Sequence, residues 1–361
     1  MQSPMSSSSS SSSSSAFDLH HLSMPDCDDH FDRLPDPVLL TVFNRVGDVK
    51  SLGRCSAVSR RFHSLASLTD DLLLRVDPVL VDPSSDHHSS SPSPPADKPR
   101  GGGAGLFSLL LHLLRPLHHL LCKKPSPTAA DSAADAVNQH SPREVLKGFT
   151  DLRRLRIEVP EGELGVDDGA LLRWRARFGS TLDRCVIFAA SSVEPPSIRQ
   201  PGSPEEPSPG SDGESFYMDG SLKLRVVWTI STLIAASARH YLLRPIVEDH
   251  PTLETLVLAD ADGQGILSMG RAQMDDLRAR PVDAPKGEGT DPLHRTVVPA
   301  LAMRLWYAPR LELPGGGPVL IGATLIAIWP AGRPAEEEEP FGLAARILAK
   351  RRSYCLEMNS F

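Results

Sequence analysis

Apolar side chains recur at helical spacing in three short runs within residues 31–76. In the first, Leu39, Val42, Phe43 and Val46 fall at i, i+3, i+4 and i+7, which is one side of a helix, with Leu40 outside the stripe. Asp36 is the expected N-cap and Pro37 suits the first turn, where no amide donor is needed. Gly47 stops that helix, and Asp48 is placed to cap a second carrying Val49, Leu52 and Cys55. Val58, Phe62 and Leu65, at i, i+4 and i+7, mark a third helix. Alternation at Leu72, Leu74 and Val76, and again over residues 79–81, predicts a strand leading out.

Further along, the pattern changes between periodic and featureless stretches. Residues 1–30 are a serine-rich polar tail, and 83–140 have linker composition around a leucine-rich helix at 106–122 that Pro116 bends or breaks. Order resumes at Ser141-Pro142-Arg143-Glu144, a capping box with proline at the first helical position. Leu152, Leu155, Ile157 and Val159 predict a strand. Residues 169–178 predict a helix with Leu171, Trp174 and Phe178 on one side, ended by Gly179, and residues 182–188 another strand. A Pro-, Ser- and acid-rich insertion occupies 191–220. A long helix over 221–243 follows, with Leu222, Val226, Thr229, Leu233 and Ala236 as its stripe and Pro245 ending or kinking it. Leu253, Leu256 and Leu258 make a strand. Residues 300–313 and 318–329 flank Pro314-Gly315-Gly316-Gly317 as an antiparallel hairpin. The tail, 331–361, holds an acidic run at 336–339 and a short amphipathic helix over 341–352 with a basic end.

One short pattern recurs. Leu152-x-x-Leu155-x-Ile157, Leu182-x-x-Cys185-x-Ile187 and Leu253-x-x-Leu256-x-Leu258 share a form, each preceded by a predicted helix. Leucine-rich repeats have that strand signature, because one helix–strand unit cannot hide its own apolar face. The spacing is irregular, and an α/β layer whose strands begin with leucine fits as well. The reading adopted is a degenerate leucine-rich-repeat-like α/β domain over residues 141–330.

Charge and chemistry narrow the function. A net charge of −7 lacks the basic field that general nucleic-acid binding needs. Five isolated cysteines without C-x-x-C spacing indicate a reducing compartment, no disulfide framework and no zinc module. The ten-serine run near the N-terminus is unlike a secretory signal. Residues 106–121 carry too many polar groups for a membrane span, and 226–238 are too few against the roughly 20 residues required. No phosphate loop, zincin helix or nucleophile elbow is present, and Gly263-x-Gly265 lacks the third glycine of a dinucleotide fingerprint. Asp260-x-Asp262-Gly263 partly matches a calcium loop, but Arg271 stands where glutamate belongs, so it reads as a polar turn. His112, His119 and Cys122 could share a helical side; with Pro116 between them they read as a solvated or packed face. No catalytic residue, cofactor or metal site is expected. Lys350-Arg351-Arg352 reads as a solvated helix end.

A helical unit of some 45 residues with no staple buries too little to stand alone. Part of its apolar surface is therefore expected to be completed by another protein. Leu34-Pro35, the Leu39/Leu40 pair, Asp48-Val49-Lys50-Ser51-Leu52, and Val58 followed by Phe62 resemble an F-box. Ser59 stands where that family usually has cysteine and Phe62 where it usually has tryptophan; both swaps keep the role. The resemblance implies docking on the Skp-type adaptor, and through it the cullin, of an SCF ubiquitin ligase, with Leu34, Pro35, Leu39, Leu40, Leu52, Val58 and Phe62 as adaptor-binding residues. Arg225-Val226-Val227-Trp228-Thr229-Ile230-Ser231, Arg239-His240-Tyr241-Leu242 and the ending Leu356-Glu357-Met358-Asn359-Ser360-Phe361 resemble the plant auxin-up-regulated F-box proteins. That resemblance implies a non-catalytic receptor that brings an unidentified protein substrate to the ligase, in nucleus or cytoplasm, with a link to auxin response. The alternative is a scaffold that carries an F-box and delivers nothing for degradation.

Overall fold

The computed structural model describes residues 30–76, 142–160, 164, 169–195, 221–279, 295–334 and 341–359. The serine-rich tail, the linker with its expected helix at 106–122, Ser141 of the capping box, and most of the acidic insertion lie outside them. Helices α1 (Asp36–Val46), α2 (Val49–Ser56) and α3 (Arg60–Ala66) lead into β1 (Asp71–Arg75). Then come α4 (Pro142–Leu146), β2 (Arg154–Val159), β3 (Leu171–Phe178), β4 (Leu182–Ala190) and β5 (Ser192–Glu194). The chain continues through α5 (Ser221–Asp249), β6 (Thr255–Asp260), β7 (Gly265–Gly270), α6 (Arg271–Ala279) and β8 (Leu301–Glu312). It closes with β9 (Val319–Pro330), α7 (Gly342–Leu348) and β10 (Ser353–Met358).

All ten strands belong to one mixed sheet in the order β1-β2-β6-β7-β3-β4-β9-β8-β10, with β5 alongside β9. Three N-terminal helices followed by a mixed-sheet α/β unit is thus the architecture. The pairs β1/β2, β2/β6 and β3/β7 are parallel and the rest antiparallel. Where the repeat signature sits side by side, its register holds. Leu72 faces Leu155, which faces Leu256; Leu74 faces Ile157, which faces Leu258. All six are buried. The copy at Leu182 departs from this. It lies in β4, between the antiparallel neighbours β3 and β9, so the repeat-like stack is three strands wide and the rest is an ordinary mixed sheet.

Residues 169–178 form β3 and not a helix. Leu172, Trp174, Ala176 and Phe178 are buried, while Arg173, Arg175 and Arg177 point the other way. That period of two outweighs the helical spacing of Leu171, Trp174 and Phe178. Gly179 sits in the β3–β4 turn, donating to the Thr181 carbonyl at 3.0 Å. Ser192–Glu194, within the expected insertion, pairs with β9. The long helix continues through Pro245 to Asp249. Proline removes one helical hydrogen bond, but Leu242, Leu243, Ile246 and Val247 are buried across the gap and hold the two sides together. The helix is buried on nearly all sides from Thr232 to His240, as it lies against β3, β4, β7, β9 and α6. Val226, expected on its buried stripe, is exposed.

Under α5 lies a polar network. Arg239 and Asp260 form a fully buried ion pair at 2.6 Å. The other Asp260 oxygen accepts the Gly265 N–H at 2.7 Å, and the Arg239 guanidinium lies 4.9 Å from the Trp174 ring. Gly265 is glycine because the indole covers it: a Cβ there would come within 2.3 Å of Trp174 ring carbons. Asp262 accepts the Gln264 N–H at 3.0 Å, so the sequence read as a polar turn is one, joining β6 to β7. A second, smaller core lies on the opposite face, where Ala345 and Leu348 of α7 cover Val186, Phe188, Leu320 and Leu325.

His240 stacks on Phe178 with centroids 4.6 Å apart and shares a 2.7 Å hydrogen bond between Nδ1 and the Thr296 hydroxyl. Burial pushes its pKa down to about 4. The unfolded imidazole binds a proton near pH 6.5, so the folded state loses stability as pH falls from there toward about 4. Urea unfolding at pH 5 should show a cost of about 2 kcal/mol from this residue relative to pH 7. His240→Gln should remove that part of the pH dependence; a variant with an unaltered profile would refute the assignment.

Candidate functional site

The N-terminal helices are joined by short polar links. Pro35, with φ −62° and ψ 146°, is the N-cap of α1, and no side chain caps it. Asp36, expected in that role, instead sits in the first turn. There it receives Arg61 Nε at 2.9 Å and Nη2 at 2.7 Å. Arg61 also donates to the carbonyls of Phe31, Asp32 and Leu34, so one α3 guanidinium organises the chain entering α1. Asp48 does cap α2, accepting the Ser51 N–H at 2.9 Å and its hydroxyl at 2.7 Å. The Ser51 hydroxyl is the main reason its carboxyl lies below the usual range; partial burial opposes the shift, and the Ser51 amide and Arg75 assist it. Ser59 caps α3 through the Phe62 N–H at 3.1 Å.

These helices are also tied to the sheet. Gly47, at φ 57°, ends α1 in the left-handed conformation that suits glycine. Its carbonyl accepts the Leu73 N–H at 2.8 Å, and Asp48 bridges to Leu73 as a strand would. Asn44 accepts the Asp70 N–H at 3.0 Å. The outer edge of β1 is thereby covered by the α1–α2 turn, which removes an open strand edge.

Packing divides the apolar residues into two groups. Leu39 (1% exposed) and Leu52 (0%) are inside, in one continuous core with β1, β2 and α5. In the isolated chain neither side chain reaches the surface, unlike the other residues expected to bind the adaptor. Leu34 and Phe62 are half-buried against the same core, and Phe62 meets Phe31 and Phe43 edge-on at 5.9 and 5.4 Å. Leu40 is half-buried and Pro35 exposed. Val58 is 69% exposed. Val42 and Val46, expected to share the buried stripe with Leu39 and Phe43, are outside with Val38. Val38, Val42 and Val46 follow one another at i, i+4 and i+8, the line of an outward ridge along α1.

The F-box-like family model matches residues 31–75, the stretch that forms these helices and β1. Over 92% of its length the chain is 49% identical to the Arabidopsis thaliana "F-box protein At5g46170", covering 94% of that protein. It is 36% identical to "F-box protein AUF1" and 35% to "F-box protein AUF2" of the same plant, covering 92% of this chain and all of each relative. This chain belongs to the plant F-box protein family. No solved structure matches it. F-box proteins are typically substrate adaptors of SCF ligases, the F-box domain generally binding Skp1 adaptors, and the family is generally non-catalytic.

In this F-box protein, sequence reasoning missed Arg61 and Val38. Arg61 lies in a stretch rich in arginine, and nothing local marks which one turns inward. Val38 stands four residues before Val42, so the outward ridge was visible had the stripe been split in two. Among the described residues, no group of three or more His, Cys, Asp or Glu is placed to hold a metal ion. Among the described residues no helix is long and apolar enough to cross a membrane.

Proposed function

We propose that this F-box protein is the substrate receptor of an SCF ubiquitin ligase. The observation that carries the reading is the uncovered apolar ridge of Val38, Val42 and Val46 along α1, with Pro35 and Val58 also exposed, on a helical unit that shares a core with a large α/β unit. The ridge docks on a Skp-type adaptor and, through it, on the cullin. Leu40 and the exposed parts of Leu34 and Phe62 border the contact, while Leu39 and Leu52 hold its shape from beneath. Such interfaces bury on the order of 1,600 Å² in total, with a few residues supplying most of the energy. Residues 141–330 hold the target protein. Other subunits transfer ubiquitin, and this chain raises the local concentration of an acceptor lysine. Work in the nucleus or cytoplasm suits this role, and a link to auxin response rests on the resemblance described above.

The test is to recover the full chain from plant cells with the proteasome blocked, as wild type and as Val58→Asp. A ubiquitinated partner that accumulates on the wild type and not on the variant is the expected result. An adaptor-bound wild type with no such partner would overturn delivery and leave a scaffold.

A further inference from the structure

We infer that the sheet face opposite α5 is the target-binding surface and that its occupant is an extended acidic protein segment with apolar anchors. This deepens the receptor reading and rests on it. Alternation along the strands sorts residues to this face: Arg173 and Arg175 of β3, Ile266 of β7, Val257 of β6, and Arg304 and Trp329 of β8 and β9. Their strand neighbours Trp174, Leu256, Leu258, Leu267, Met303 and Ile328 lie in the main core on the α5 side. Register brings the two chemistries together. Arg175 is directly opposite Ile266, and Val257 sits one row on, opposite Ser268.

Charge decides the occupant. The whole chain is acidic, at −7, yet this face is rich in arginine. Carboxylates on or beside it are already engaged: Glu158 by Arg75 and Arg156, Asp183 by Arg177 and Arg333. Glu357 lies on the outermost strand. Arg173, Arg175 and Arg304 make no ion pair among the described residues, in contrast to those arginines. Arg175 instead lies 4.5 Å over the Phe341 ring, and Arg304 is flanked by Trp306 and Trp329 at 5.9 and 6.0 Å. Arg304 Nε is buried without a hydrogen-bond partner among the described residues. The Arg175 and Arg304 guanidiniums lie beside aromatic rings and Arg173 is exposed next to them; with no carboxylate paired to them among the described residues, all three are matched by carboxylates from another chain. α7 covers the face over β4, β8 and β9; among the described residues no element is stacked on it between β1 and β3. The five uncovered strands, β1, β2, β6, β7 and β3, spaced about 4.8 Å apart, make an open face roughly 20 Å across. An extended segment of about six residues spans that distance.

The test uses the full chain bound to its Skp-type adaptor and a fluorescein-labelled peptide of alternating Glu and Leu, about twelve residues long. Its Lys–Leu counterpart is the control. Fluorescence anisotropy should show the Glu–Leu peptide binding the wild type, more weakly as salt rises from about 50 to about 500 mM. Arg173→Glu/Arg175→Glu should weaken it at least tenfold and Arg304→Gln should weaken it too, both with adaptor retention unchanged. No binding, equal binding of the Lys–Leu peptide, or indifference to the arginine substitutions would each overturn the inference. Binding seen only after Glu336, Glu337, Glu338 and Glu339 are all replaced by glutamine would overturn it as well, because the chain's own carboxylates would then be the occupant. Peptide binding that stands while the wild type fails to hold the adaptor would support the face and sink the receptor role.

Discussion

Val42→Asp/Val58→Asp should weaken retention of the Skp-type adaptor by about a thousandfold while leaving the unfolding midpoint where it was. Both side chains are largely exposed, Val42 at 44% and Val58 at 69%, so the folded chain alone loses little by exchanging them. Central interface residues commonly contribute 2 kcal/mol or more each, so two carboxylates set into an apolar contact cost about 4 kcal/mol, or roughly three decades of affinity. Leu52→Ala separates surface from support. Leu52 is wholly inside, and its loss should cost about 2–5 kcal/mol of stability, weakening adaptor binding only through unfolding. Calorimetric titration with the adaptor alongside urea unfolding reads both quantities. A double aspartate variant that binds normally would remove the ridge from the interface.

Arg239→Ala should be the most damaging single change in the α/β unit, at about 3–5 kcal/mol, measured by urea denaturation. Domains of this kind have only about 5–15 kcal/mol in hand. The variant leaves Asp260 buried with the Gly265 amide as its remaining partner in the network and takes the cation from beneath Trp174. Burial already pushes the Asp260 carboxyl upward, with Arg239 as the chief opposing influence. Replacing both partners, Arg239→Met with Asp260→Leu, should recover most of the loss, because no charge is then stranded. A single variant within 1 kcal/mol of wild type would show that the pair contributes little.

What could be read from the chain followed the strength of its local signals. Asp48 before Val49 and Gly47 after Val46 mark helix boundaries by cap chemistry alone, and the glycine-rich turn at residues 314–317 joins β8 to β9 as expected. In β3, Leu171, Trp174 and Phe178 also satisfy a helical spacing, and only the arginines alternating between them mark the strand. β7 and α6 escaped notice because their apolar residues are few and shared out over two short elements. β10 has little burial to leave a pattern. At the candidate site, helical periodicity located the apolar residues without saying which half turned inward. Leu39 and Val42 look equivalent in sequence; only packing of α1 against α3, α2 and β1 distinguishes them.

The hydrogen bond from Leu73 to the Gly47 carbonyl, with Asn44 holding Asp70, fastens the N-terminal helices directly to the edge of the sheet. On the receptor role proposed above, such a chain would act as a bracket and not as a swinging arm. With the ridge seated on an adaptor, the direction in which the arginine face looks would be set by the fold. Lysines on a captured protein would then be chosen by their reach from that fixed mount, so moving the acidic segment along a target should change which lysines are modified.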